Sequence, residues 1–193
     1  MKTTSVATTL SLLAALLLAL SLALAVAVEV LVVSSGDTPS GSTGDGDTLS
    51  GYFTDLQRIF EDAEDATNEA EVPLNETSSE APLGVQLSAL DTYLGEIDAI
   101  FSEAIGRLEG LSVPATAADD HQDFIDGVSV SVTAGNALRN DLTDITTKEQ
   151  FDDRMDKFVG DIDAAVDKAD AACLALQEIA DTEDINIDLD CED

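Results

Sequence analysis

Residues 83–111 read LGVQLSALDTYLGEIDAIFSEAIGRLEGL. Within them Leu83, Leu87, Leu90, Leu94, Ile97, Phe101, Ala104, Leu108 and Leu111 follow one another at steps of three and four residues. Such spacing returns to one side of a helix at every turn, so the stretch predicts a long amphipathic helix whose apolar seam must be covered by neighbours. At about 1.5 Å per residue, its roughly 29 residues reach about 43 Å. Pro82 precedes it and Pro114 follows it, and proline bounds helices because it lacks the amide a helix interior needs.

The same period recurs on both sides. Leu49, Tyr52, Phe53, Leu56, Ile59, Phe60 and Ala63 form a stripe that fades near Ala70, with Pro73 expected to separate this helix from the next. Ala117, His121, Phe124, Val128, Ser131, Gly135, Leu138 and Leu142 share a face, with Asp119 or Asp120 as the expected cap. A capping box, either Thr146 with Glu149 or Thr147 with Gln150, opens a last seam of Phe151, Met155, Phe158, Ile162, Ala165, Ala169, Ala172, Leu176 and Ile179. Residues 127–133, GVSVSVT, alternate with period two and by themselves read as a strand. The helical seam continues on both sides of them, and Gly127, Ser131 and Gly135 fall four apart, a smooth strip that lets a neighbouring helix come close. The expected fold is therefore all-α: an up-and-down four-helix bundle over residues 49–193, because helices joined by a few residues must lie side by side.

Asp and Glu number 40 against 8 Lys and Arg, a formal net charge of -32. A phosphate backbone is held by Lys and Arg, so a nucleic-acid partner is excluded, and docking on an anionic bilayer surface is disfavoured for the same reason. Asp outnumbers Glu by 26 to 14, and such a surface repels itself unless salt screens it; the Debye length falls from about 8 Å at 0.15 M to about 3 Å at 1 M. The composition points to saline surroundings, with an ordinary exported acidic protein as the other reading.

At the N terminus, Lys2 is the only charge before Glu29, and residues 10–33 are apolar apart from Ser11, Ser21 and Glu29. Twenty-four such residues are enough to span a bilayer core, which needs about 20, and exceed the 7 to 15 of a secretory segment. Residues 1–33 are accordingly expected to be a signal anchor that joins the chain to the membrane through residues 10–33, with the C terminus outside. The alternative is a signal peptide cleaved after Ala25 or Ala27, which small residues at Ala23, Ala25 and Ala27 permit and which yields a secreted protein. Residues 34–48, rich in Ser, Gly, Thr and Asp, are expected to be a flexible acidic linker.

Cys173 and Cys191 are the only cysteines, and export makes a single disulfide between them the expected state. The intervening Ile185-Asn186-Ile187-Asp188-Leu189-Asp190 alternates apolar and polar residues, as an extended tail laid along a surface with one side covered. Ten extended residues cover up to about 33 Å and Cys173 lies about 12 Å back along its helix, so the tail reaches it. The run Cys173-Leu174-Ala175-Leu176-Gln177-Glu178-Ile179-Ala180, followed by Ile185, Ile187, Leu189 and Cys191, resembles the carboxyl end of small exported bacterial helical proteins that have no assigned activity. The resemblance covers about 20 residues; it implies a helix with a disulfide-clasped tail and carries over no catalytic residue.

His121 is the only histidine, which removes the two-histidine zinc and di-iron arrangements and leaves nucleophilic catalysis a single candidate base. A haem between His121 and Met155 lacks any Cys-x-x-Cys-His attachment. The carboxylate runs, among them Asp152, Asp153 and Asp156, read as solvated faces; Glu103 with Arg107 and Asp153 with Lys157 read as helix-supporting pairs four residues apart. Asn75-Glu76-Thr77 fits an N-glycosylation acceptor, with chance occurrence as the other reading. The expectation is thus no enzyme, no catalytic residue, no cofactor and no metal centre. The chain is expected to be an envelope-associated or secreted helical interaction module whose protein partner and oligomeric state the sequence leaves open. The alternative is a module binding a divalent cation or small ligand through its acidic faces or a cleft between helices.

Overall fold

The computed structural model describes residues 48–191. The proposed anchor or signal peptide at 1–33, the linker up to residue 47, and residues 192 and 193 lie outside the described residues. The chain is all-α where described: α1 Leu49–Asn75, α2 Leu83–Glu109, α3 Ala118–Asp141 with a 3-10 turn Leu142–Asp144, and α4 Lys148–Thr182. No helix among the described residues is long and apolar enough to cross a membrane.

Contacts across the helix pairs give their directions. Arg139 near the end of α3 meets Asp91 near the start of α2 at 2.9 Å, while His121 at the start of α3 meets the Leu108 carbonyl at the end of α2. Arg154 early in α4 pairs with Asp141 at the end of α3 (3.1 Å), and Lys168 further along α4 pairs with Asp123 and Asp126 early in α3. α3 thus runs opposite to α2 and α4 opposite to α3; Tyr52 at the start of α1 and Leu108 at the end of α2 both meet His121, so α1 and α2 also run opposite ways.

Thr48, placed at the end of the linker by the sequence, is the N-cap of α1; its hydroxyl accepts a hydrogen bond from the Gly51 amide at 3.1 Å. The first helix does not stop near Ala70: it continues through Pro73 to Asn75. Pro73 removes one helical hydrogen bond, but Ala70 and Leu74 are buried in the core and hold the last turn in place. In α2 the seam is buried from Leu90 to Leu108, joined by Tyr93, while Leu83, Leu87 and Leu111 pack only at its margin. Neither Asp119 nor Asp120 caps α3. Ala117 occupies that position without a side-chain bond, and the two carboxylates sit in the first turn, where they favour the helix dipole instead. In α4 the box is the Thr147–Gln150 one: the Thr147 hydroxyl accepts from the Gln150 amide, and the Gln150 side chain accepts from the Thr147 amide.

The disputed stretch 127–133 is helical. A Cβ at Gly127 would lie 2.7 Å from the Ala165 carbonyl oxygen and 2.9 Å from the Ala169 Cβ. This glycine therefore sets the closest approach of α3 to α4. Gly135, in the same strip, faces α2 instead, where Leu94 stands at 4.0 Å and leaves room for a methyl group.

The seven described cations all pair with carboxylates, and four of them join helices. Arg107 does not support its own helix through Glu103 but crosses to Asp62 of α1 at 2.7 Å, and Lys157 pairs forward with Asp161 rather than back to Asp153. Arg139 reaches Asp91 over Gly95, where a Cβ would come within 2.9 Å of the guanidinium. Exposed pairs of this kind each contribute little alone; on so acidic a surface, a cation at a seam also separates carboxylates that would repel one another.

Candidate functional site

Helix α4 ends in a turn that sends the chain back along the bundle. The Ile185 amide donates to the Ala180 carbonyl (2.9 Å) and the Asp184 amide to the Asp181 carbonyl (3.2 Å), with Asp184 left-handed at φ 55°. From there the tail follows α4. Leu189 is buried and Ile185 and Ile187 are half-buried, in line with the alternation of the sequence. Gln177, a residue to which the sequence assigned no role, holds the tail's backbone as a strand would. Its Nε2 donates to the Ile187 carbonyl (3.2 Å), and its Oε1 accepts from the Leu189 amide (2.8 Å). The disulfide Cys173–Cys191 then closes the loop, with Cα atoms 5.6 Å apart. Beside it, burial pushes the Asp190 carboxyl up to about 6, helped by the charges of Asp188, Glu64 and Glu61. Glu61 and Glu64 belong to α1, so the charge of the first helix is felt at the clasped tail.

His121 and Tyr52 form the main buried polar arrangement. The Leu108 carbonyl can only accept, so the imidazole donates to it from Nε2 (3.2 Å), and Nδ1 accepts from the Tyr52 hydroxyl (3.0 Å). His121 ties the start of α3 to the last turn of α2 and the first turn of α1. Both ring nitrogens are engaged within the fold, so a haem iron at either would have to displace one of these bonds. Burial holds the imidazole below its ordinary value, opposed in part by the Leu108 bond. The fold therefore favours the neutral ring, and this contribution is complete above about pH 6.5 and is lost as pH falls below it. Asp190 acts in the opposite sense, since its raised value makes the folded state gain a proton, and stability, as pH falls through 6. Comparing denaturant midpoints of the wild type and His121→Phe between pH 7.5 and 5 isolates the histidine slope, which is expected only in the wild type. Tyr52→Phe leaves Nδ1 buried without a donor and is expected to cost about 1–3 kcal/mol at pH 7.5.

The outer side of the α1–α2 pair carries an open groove. Two adjoining cavities of about 120 and 480 Å³ share Ala66 and Ile100. The floor is Ile59, Ala63, Ala66, Ala70, Ala99, Ile100 and Ala104, and the rim is Asp62, Glu69, Glu96, Glu103 and Arg107. Small alanines on both helices keep the floor low; the sequence spacing showed their helical positions but not that they face a gap.

The chain matches no protein-family model, no curated protein and no solved structure.

Among the described residues no three His, Cys, Asp or Glu side chains stand together as metal ligands. Asp152 pairs with Lys148 at 3.1 Å, while Asp153 and Asp156 point to solvent. Cys173 and Cys191, the two site residues expected from the sequence, are brought together; the acidic runs are spread over the helix surfaces.

Proposed function

We propose that the chain is a non-catalytic helical interaction module of the cell envelope in saline surroundings. In this reading an up-and-down bundle stands outside the membrane, attached through residues 10–33 or released by cleavage after Ala25 or Ala27. The observation that carries it is the Cys173–Cys191 disulfide, closing a tail over the core: such bonds persist in oxidising compartments outside the cytoplasm. The apolar groove between α1 and α2 is the surface best suited to a protein partner, since its floor is apolar and its rim charged.

Fractionation of native cells tests the address. Full-length protein is expected with membranes, its bundle open to external protease; soluble material beginning at Val26 or Val28 would select the secreted form. Cytoplasmic protein with free thiols would overturn both. A photocrosslinker at Ala66 in the groove is expected to give a discrete protein adduct in envelope extracts, whereas one at Asp163 on the exposed side of α4 is not. Equal labelling from both positions would remove the groove from the proposal. The cation-binding alternative requires a stoichiometric calcium isotherm in about 1 M salt, where diffuse attraction is screened.

A further inference from the structure

The acceptor triplet Asn75-Glu76-Thr77 has no part in the groove or the clasp. Asn68, Asn136, Asn140 and Asn186, the other asparagines, lack a Ser or Thr two residues on, so this is the chain's single acceptor of its kind. The structure puts it where a transferase can reach it: Asn75 is the exposed last residue of α1, Glu76 is exposed, and Thr77 lies in the bend that follows. The Thr77 hydroxyl donates only to the Pro73 carbonyl, at 2.9 Å. Leu74 anchors the helix in the core, but Asn75 and Glu76 beyond it are exposed and Thr77 already lies in the bend, so the triplet can leave the helix end as an extended acceptor without drawing Leu74 out of the core.

A second observation points to the same end of the molecule. Only three large apolar side chains are strongly exposed among the described residues, and two of them, Val72 (50%) and Val85 (51%), flank this hairpin. Val72 lies three residues before Asn75 on the same helix, within reach of whatever Asn75 carries. We propose that Asn75 is an N-glycosylation site, modified from a lipid phosphate-linked oligosaccharide, and that the glycan covers the apolar tip at Val72 and Val85.

In the transfer, Asn75 Nδ2 bonds the anomeric carbon of the donor sugar. The bond from that carbon to the phosphate oxygen breaks, the lipid phosphate leaves with the electron pair, and the amide proton passes to a base of the transferase. This inference rests on the extracytoplasmic reading above. The 27-residue α1 spans about 40 Å and places Asn75 at the end remote from Thr48.

Trypsin cuts at Arg58 and Arg107 with no Lys or Arg between them, so the peptide Ile59–Arg107 from protein purified out of native cells carries the answer. It is expected to exceed its sequence mass by an oligosaccharide located on Asn75, to lose that mass completely in Asn75→Gln and Thr77→Ala, and to keep it in Thr77→Ser. Removing the glycan is expected to raise binding of an apolar dye, an increase absent from a Val72→Thr, Val85→Thr double variant. Unmodified peptide from protein that is oxidised at Cys173–Cys191 and open to external protease overturns the glycan and leaves the envelope reading standing. Unmodified peptide from cytoplasmic protein with free thiols overturns both. No change in dye binding removes the covering role.

Discussion

Reduction of the Cys173–Cys191 bond, or the Cys173→Ser substitution, lowers the melting temperature of the bundle by about 10 °C. The bond closes a loop of sequence separation 18, which in the chain-entropy model stabilises the fold by about 3 kcal/mol. For the roughly 140 residues described, 1 kcal/mol corresponds to about 3 °C. What else holds the tail is one buried residue, Leu189, the two Gln177 bonds and the turn at Asp184. Against it stands the Asp190 carboxylate, which burial first and then the charges of Asp188, Glu64 and Glu61 push up to about 6. Once the covalent link is gone the repulsion acts on a free end, so the loss is expected to be larger at pH 7.5 than at pH 5, where Asp190 is protonated. Native protein is expected to take up no alkylating agent at cysteine until it is reduced. A shift under about 2 °C on reduction, at pH 7.5 and moderate salt, would show that the clasp does not hold the fold.

Gly127→Val is expected to cost about 3 kcal/mol or more, and Gly127→Ala about 1–3 kcal/mol even though alanine is the better helix former by about 1 kcal/mol. The new Cβ would meet backbone atoms, the Ala165 carbonyl oxygen at 2.7 Å and the Ala169 amide nitrogen at 3.0 Å. These cannot rotate away as a flexible side chain would. The α3–α4 pair must instead move apart, which loosens the packing around Ile162, Ala165 and Ala169. Gly160 is the control: it is exposed in α4 with nothing within 4 Å of its would-be Cβ, so Gly160→Ala is expected to stabilise by up to about 1 kcal/mol. Denaturant midpoints of the three variants measure the contrast, and equal stability of Gly127→Ala and Gly160→Ala would contradict the close approach.

The clasp was legible because its evidence is local and combinatorial: two cysteines allow one pairing, and the alternation from Ile185 to Leu189 marks a tail with one covered side. The helices were legible because apolar period, cap residues and prolines lie within a turn or two of the positions they control. Where a local rule met a long-range contact, the contact prevailed: Leu74 in the core carries α1 past Pro73, and Arg107 leaves Glu103 for Asp62. His121 was read correctly as a seam residue, but its neighbours Tyr52 and the Leu108 carbonyl lie 69 and 13 residues away in sequence. No spacing rule connects them.

By itself, then, the sequence determined that this chain is helical, which side of each helix is apolar, and that its two cysteines pair. Those properties depend on a 3.6-residue period and on counting. Only the tertiary structure decided that Gly127 rather than Gly135 sets the tightest crossing, that four of the scarce cations bridge helices, that Gln177 receives the tail, and that α1 and α2 leave a groove. These follow from the rotation and stagger of one helix against the next, and many settings of both bury the same apolar stripes. The choice among them rests on small packing and charge differences between residues far apart in the chain.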